Sequence, residues 1–325
     1  MNRTHSSSGP ASPSRGKPQM RSRVQFAAAL MLLVVAALLA ATPGVAAAPV
    51  DQASWSSRKR QVTLSNGLRL AYVETGNPAG EPLLLLHGYT DTSRSWSLVA
   101  PHLANYRLLI PDQRGHGASE APECCYGTTQ FAYEARLFLD ALAIRRAAVA
   151  GHSLGSMVAI TMAAEYPDRV SSMVLIGSTA IVPVRRGDWL FDNSHALTTP
   201  LDPDSPFLRD WHPSNQPTPV DGDFAAAVMD ELLAIPLHVW RGVLRELASL
   251  PVARHAADVK AKVLILSGGK DPLFPAEHHA ALVKAFPGAE ARIFPDLGHN
   301  PLRERPEQIG EAISRFLIAQ GIGRP

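Results

Sequence analysis

Cysteine is almost absent from this chain of 325 residues: two occur, Cys124 and Cys125, side by side. So small a number excludes a disulfide framework, and adjacent positions do not give metal-ligand spacing. Neighbouring Cα atoms lie about 3.8 Å apart, inside the usual disulfide span of ~4.4–6.8 Å, so the pair reads either as two thiols or as a strained vicinal bridge. No H-E-x-x-H or comparable ligand cluster occurs, so no metal is expected. Gly115 and Gly117 lack the third glycine of G-x-G-x-x-G, and no P-loop lysine follows, so neither a phosphate site nor another cofactor is expected.

Long apolar runs are also missing, apart from one near the start. Arg3, Arg15, Lys17, Arg21 and Arg23 precede an apolar stretch over 26–41, then Pro43-Gly44 and the small residues Val45-Ala46-Ala47. That is the layout of a secretory signal over 1–47, and the absence of an adjacent arginine pair favours the general secretion route. The apolar stretch is shorter than the ~20 residues of a spanning helix, so the expectation is cleavage and a secreted or periplasmic protein, with a membrane anchor as the alternative. Met20 offers a second, more compact start. All five of those basic residues belong to the 31 in the chain, so their removal leaves 26 against 29 acidic ones. The remaining domain is slightly acidic and has no basic cluster, which gives no footprint for nucleic acid or an anionic membrane.

Past residue 60 the pattern is one of short buried strands alternating with helices. A hairpin over 61–74 turns at Ser65-Asn66-Gly67. Apolar runs at 82–86, 106–111, 147–150, 172–177, 262–267 and 291–294 are too short for helices. Helical patterns fall over 93–103, 128–143, 154–165, 275–286 and 306–319. Strands buried on both faces imply a mostly parallel, doubly wound α/β sheet, whose strand C-terminal ends carry the loops available for chemistry. Between the strands ending at Gly177 and starting at Lys262 lies an insertion far longer than the ~2–6 residues of an ordinary connection. Its first part, 183–219, is rich in proline and aspartate and reads as irregular. Asp221 then caps a helix with Phe224, Val228, Leu232 and Ile235 on one face, and Leu237, Trp240, Leu244 and Leu247 mark another after Pro236. The expected division is 48–182, first part of the core; 183–256, a small helical cap; and 257–325, second part of the core. Trp189, Trp211 and Trp240 are candidates to line a substrate pocket, with cap-to-core packing as the other role open to each.

The segment that gives this architecture a purpose is Gly151-His152-Ser153-Leu154-Gly155, placed between the strand at 147–150 and the helix that follows. A serine at the apex of a sharp strand-to-helix turn presents its Oγ above the sheet, and only small residues fit two positions to either side. The helix N-terminus beyond it favours developing negative charge. Taken alone, the motif also fits an ordinary glycine-flanked turn.

Further motifs stand in register with it: His87-Gly88-Tyr89, the run from Asp112 to Ser119 (Asp-Gln-Arg-Gly-His-Gly-Ala-Ser), Gly268-Gly269-Lys270-Asp271 and Leu297-Gly298-His299. Together they resemble the α/β-hydrolase family, from about residue 61 to the C-terminus. The resemblance implies a doubly wound sheet of that type with the cap inserted after the sixth strand. It also implies two oxyanion-binding backbone N–H groups, on Tyr89 and Leu154.

Chemistry assigns the other roles. A serine hydroxyl needs a base, and a histidine titrating near neutrality suits; the base in turn needs a carboxylate on its second nitrogen. His299, in a loop after the last strand, and Asp271, after the preceding one, are the candidates for Ser153. His278 and His279 fall in a helix, His152 points elsewhere from the elbow, and Asp296 reads as a loop-turn residue. A serine at the elbow argues against epoxide hydrolase and haloalkane dehalogenase activity, for which the resemblance implies aspartate there. The expected function is a cofactor-independent serine hydrolase of a small-molecule ester or lactone. Open beside it are a cofactor-free haloperoxidase or perhydrolase, an amide or carbon–carbon bond hydrolase on the same triad, and a non-catalytic binding protein. Oligomeric state is left open.

Overall fold

The computed structural model describes residues 50–211, 216–249 and 252–323, together with Gly9. Apart from Gly9, the segment read as a signal lies outside them. Eight strands form one sheet: β1 (Arg60–Thr63), β2 (Arg69–Gly76), β3 (Pro82–Leu86), β4 (Arg107–Pro111), β5 (Ala147–His152), β6 (Val170–Ile176), β7 (Lys262–Gly268) and β8 (Glu290–Phe294). Their spatial order is β1-β2-β4-β3-β5-β6-β7-β8. The first two pairings are antiparallel, as a hairpin start requires, and every later one is parallel.

Alternation along the strands builds a core on each face of this sheet. Leu84 and Leu86 of β3 join Val149 of β5, Met173 and Leu175 of β6 and Ile265 of β7 on one side. Leu83 and Leu85 join Ala148, Ala150, Val174 and Ile176 on the other. With a period of two, a strand apolar at every position can only be buried on both faces, which explains the unbroken Leu83-Leu84-Leu85-Leu86 run.

Ten helices occur among the described residues: α1 (Gln52–Trp55), α2 (Thr128–Ala141), α3 (Leu154–Glu165), α4 (Trp189–Ala196), α5 (Pro206–Trp211), α6 (Gly222–Leu233), α7 (Leu237–Leu247), α8 (Ala276–Ala285), α9 (Pro301–Glu304) and α10 (Pro306–Ala319). Every residue of α3 from Leu154 to Ala163 is buried, as a helix apolar all round must be. No helix among the described residues is long and apolar enough to cross a membrane.

Two expectations are corrected. The stretch 93–103 is not one helix but two 3-10 turns, Ser93–Trp96 and Ala100–Leu103. The Thr92 hydroxyl caps the first turn by accepting the Arg94 N–H at 3.1 Å, and Pro101 disfavours α geometry at Ala100, which separates the two turns. The stretch 183–219 is not wholly irregular, since α4 and α5 lie in it and are held by aromatic packing: Trp189 against Phe207 at 5.0 Å and Phe207 against Trp211 at 6.1 Å between centroids.

The insertion carrying α4 to α7 is fastened to the core by a half-buried carboxylate. Glu231 on α6 pairs with Arg94 at 2.9 Å and Lys59 at 3.5 Å, and accepts the Thr92 hydroxyl. Asp221 caps α6 as expected, accepting the Phe224 N–H at 3.0 Å.

Candidate active site

Ser153 sits between β5 and α3 with φ 50° and ψ −118°, a left-handed conformation that an L side chain adopts only under constraint. The constraint is visible. Its N–H donates to the Ile176 carbonyl at 2.9 Å, tying the turn to β6. A Cβ on Gly151 would lie 2.2 Å from the Gly155 carbonyl oxygen, and one on Gly155 would lie 2.2 Å from that of Leu86. Both glycines are therefore required by close backbone approach.

His299 follows β8 on a loop braced at three points. Glu304 accepts the Gly298 N–H at 2.8 Å, the Leu297 carbonyl accepts the Lys270 N–H at 2.8 Å, and the His152 Nε2 lies 2.8 Å from the His299 carbonyl. The braces bring the His299 Nε2 to 2.9 Å from the Ser153 Oγ, and its Nδ1 to 2.8 Å from the Asp271 Oδ2. The other carboxylate oxygen of Asp271 accepts the N–H groups of Leu273 and Phe274, each at 2.9 Å. Burial works to raise the Asp271 pKa. The charge and N–H of His299, with those two amides, outweigh it and hold the carboxyl below its usual range. Asp271 is thus an ionised, fully satisfied acceptor facing the histidine.

The loop after β3 is fixed by the stretch that superficially resembled a nucleotide loop. The His87 Nε2 accepts the Gln113 N–H at 2.9 Å, and the Gln113 side chain returns a hydrogen bond to the His87 carbonyl at 2.8 Å. Asp112 accepts the Ser93 N–H at 2.8 Å and pairs with Lys59 at 2.8 Å. Gly88 lies against the elbow: a Cβ there would be 3.3 Å from that of Ser153. The backbone N–H groups of Tyr89 and Leu154 make no backbone hydrogen bond among the described residues, and Leu154 opens α3, where such a donor is intrinsically unpaired.

These groups open into a cavity of about 510 Å³ whose lining includes Ser153, His299, Tyr89 and Leu154. Met157, Leu244 and Leu247 form part of its buried wall. Trp189 and Trp211 line it as expected, but Trp240 does not. The Trp240 ring is fully buried, 5.6 Å from that of Tyr89, on the same face of α7 as Leu244 and Leu247, which do line the cavity.

His152 is the second correction at the site. It does not point away: it lines the cavity, and its ring lies 5.2 Å from that of His299. Burial, with His299 beside it, lowers its pKa to about 3, so it is neutral and donates through Nε2 to the His299 carbonyl. Asp91, also lining the cavity, accepts from Arg303. Neither His152, Asp91 nor Arg303 carried a periodic or motif signal, except that His152 stood inside the elbow itself. Asp296 is exposed and pairs with Lys270 at 3.6 Å, while His278 and His279 bond Thr179 and Ser267 instead. Cys124 and Cys125 are exposed free thiols, not a bridge. No group of three or more His, Cys, Asp or Glu side chains among the described residues could hold a metal ion.

The sequence model of the family described as "alpha/beta hydrolase fold" matches residues 81–211. A crystal structure of a hydrolase from Pseudomonas aeruginosa superposes with a TM-score of 0.71 over 80% of this chain and 98% of that one, at 24% identity. The protein has the α/β-hydrolase fold. The enol-lactonase from Burkholderia xenovorans LB400 shares this fold, with a TM-score of 0.64 over 80% of this chain and all of that one, at 21% identity. In sequence, the α/β-hydrolase region is 27% identical over 267 residues to Lipase 1 of Psychrobacter immobilis, covering 79% of this chain and 83% of that protein.

Proposed function

We propose that this protein is an exported serine hydrolase that cleaves a carboxylic ester or lactone through an acyl-enzyme on Ser153. The observation that carries the reading is the continuous relay from the Ser153 Oγ through both nitrogens of His299 to Asp271, at 2.9 and 2.8 Å. Relatives named lipase and enol-lactonase on the same fold support the reaction class.

In the proposed reaction the Ser153 Oγ attacks the carbonyl carbon while the His299 Nε2 takes its proton. Asp271 holds the ring so that Nδ1 carries hydrogen and Nε2 is free to accept, and it stabilises the imidazolium that forms. The tetrahedral oxyanion is received by the N–H groups of Tyr89 and Leu154, each such donor being worth roughly 10²–10³ in rate. His299 then protonates the leaving alcohol. Water, activated by the same nitrogen, releases the acid. No step draws on a metal or an organic cofactor.

One preparation tests the reading. Protein recovered from the culture medium should have an intact mass lacking residues 1–47, become labelled on Ser153 by a fluorophosphonate, and release acid from a panel of esters and lactones. Ser153→Ala should abolish labelling and lower turnover by about 10⁶, the loss typical of removing a triad nucleophile. Folded wild type that neither labels nor turns over any ester or lactone would refute the reading, and unchanged turnover in the variant would refute the role of Ser153.

A further inference from the structure

The charge of the cavity lining is one-sided. Its acidic members are Asp91, Asp188 and Asp210, and no lysine or arginine is among the described residues that line it. Asp91 is offset by its partner Arg303, which lies outside the lining. His152 is neutral, and His299 is engaged with Ser153 and Asp271. Asp188 and Asp210 have no such cation against them among the described residues: both are exposed and line the cavity with exposed Trp189, the Asp188 carboxylate also accepting the Arg185 N–H at 2.6 Å. The Trp211 ring lies 6.2 Å from that of Trp189. Arg185, Arg186 and Arg209, next to these aspartates in sequence, are exposed and outside the lining.

Physical chemistry turns this arrangement into selectivity. A substrate carboxylate entering an apolar cavity gives up its hydration and finds no cation to replace it, so it is rejected. A cationic nitrogen that stays on the exposed side of the lining gives up less, because two carboxylates and two indole rings belong to that lining. The uncharged remainder of the substrate meets Met157, Leu244 and Leu247 on the buried wall.

We infer that the substrates are esters that pair an apolar portion with a cationic nitrogen and carry no anionic group, with Asp188 and Asp210 as the specificity-determining residues. This rests on the serine-hydrolase reading above and adds to it the charge of the substrate.

The test is a matched series on whichever acyl chain gives the highest turnover: the choline ester, its neutral 3,3-dimethylbutyl counterpart, and the ester of a hydroxy acid of similar length. At low ionic strength kcat/KM for the choline ester should exceed that of the neutral one by about fivefold, a ratio that shrinks in high salt as exposed charges are screened. The anionic ester should fall at least about tenfold below the neutral one, since its carboxylate is desolvated without a partner. Asp188→Asn combined with Asp210→Asn should bring the cationic-to-neutral ratio close to one, carried mainly by KM. Asp210→Asn alone, at an exposed position, should move the ratio part of the way and serves where the double variant folds poorly. Equal rates for cationic and neutral esters, a preferred anionic ester, or an unchanged ratio in the variants would overturn the inference while leaving the hydrolase reading standing. Failure of all esters, with Ser153 unlabelled, would remove both.

Discussion

At the scale of single residues, the tightest geometry in the protein surrounds Ser153, and glycine permits it. The serine holds a backbone conformation that costs roughly 1–3 kcal/mol where nothing else compensates, and the backbones of β3, β5 and α3 converge on it. Gly155→Ala would place a methyl group 2.2 Å from the Leu86 carbonyl, so α3 and β3 would have to part. Because β3 leads directly into His87-Gly88-Tyr89, the displacement reaches Ser153 and the Tyr89 N–H together. The expected result is a loss of about 1–3 kcal/mol in denaturant unfolding, as for an overpacked interior, with turnover and fluorophosphonate labelling both depressed. A variant with wild-type midpoint and full labelling would show that the elbow tolerates a side chain there. Sequence made this argument available in advance, since small residues on either side of a turning serine have a steric meaning. His152 was not so legible: its ring orientation follows from the His299 carbonyl, which approaches only once β5 and the loop after β8 are adjacent.

At the scale of elements, legibility followed length and regularity. The helices α2, α3, α8 and α10 and the buried strands carry enough periodic residues to be read within a few positions of their ends. The helices α4 and α5 are only eight and six residues long, in a stretch where proline and aspartate dominate, and ring packing among Trp189, Phe207 and Trp211 supplies what local pattern does not. Three tryptophans in one insertion looked alike in sequence, yet Trp189 and Trp211 line the cavity and Trp240 does not. Trp240→Ala should accordingly act as a core deletion, costing about 3–5 kcal/mol in an unfolding titration, because the ring is fully buried against Tyr89. Unchanged stability would place that ring in the cavity instead. The relay of Ser153, Asp271 and His299 was legible because its members sit at strand ends that a doubly wound sheet gathers to one edge. The lining charges Asp188 and Asp210 were not, because nothing in their spacing relates them to one another.

At the scale of the whole molecule, acid sensitivity follows from histidines folded away neutral. His87, His116 and His152 are all buried, and burial lowers each below the ordinary value of 6.5, His116 and His152 to about 3. In the unfolded chain each takes up a proton near pH 6.5, whereas in the folded protein each does so only at lower pH, near 3 for His116 and His152. Between those limits the unfolded state binds more protons, so stability falls as pH falls, by up to about 1.4 kcal/mol per pH unit for each such histidine. Asp271, whose folded pKa is lowered, adds to the loss only as pH falls through the ordinary carboxylate range and below it. Urea unfolding at pH 7 and pH 5 should therefore show a clear fall in midpoint, beginning near pH 6.5; a flat profile down to pH 5 would mean that these rings titrate in the folded state. The same burial of charge bears on how material reaches Ser153. Glu231 joins the insertion to Thr92, Arg94 and Lys59, and Thr92 stands three residues beyond Tyr89. Swinging α6 aside would strand those partners together and disturb the loop that carries Tyr89 in the same motion. Entry that leaves those pairs intact passes exposed Trp189, so the girth of a molecule bears on whether it is admitted.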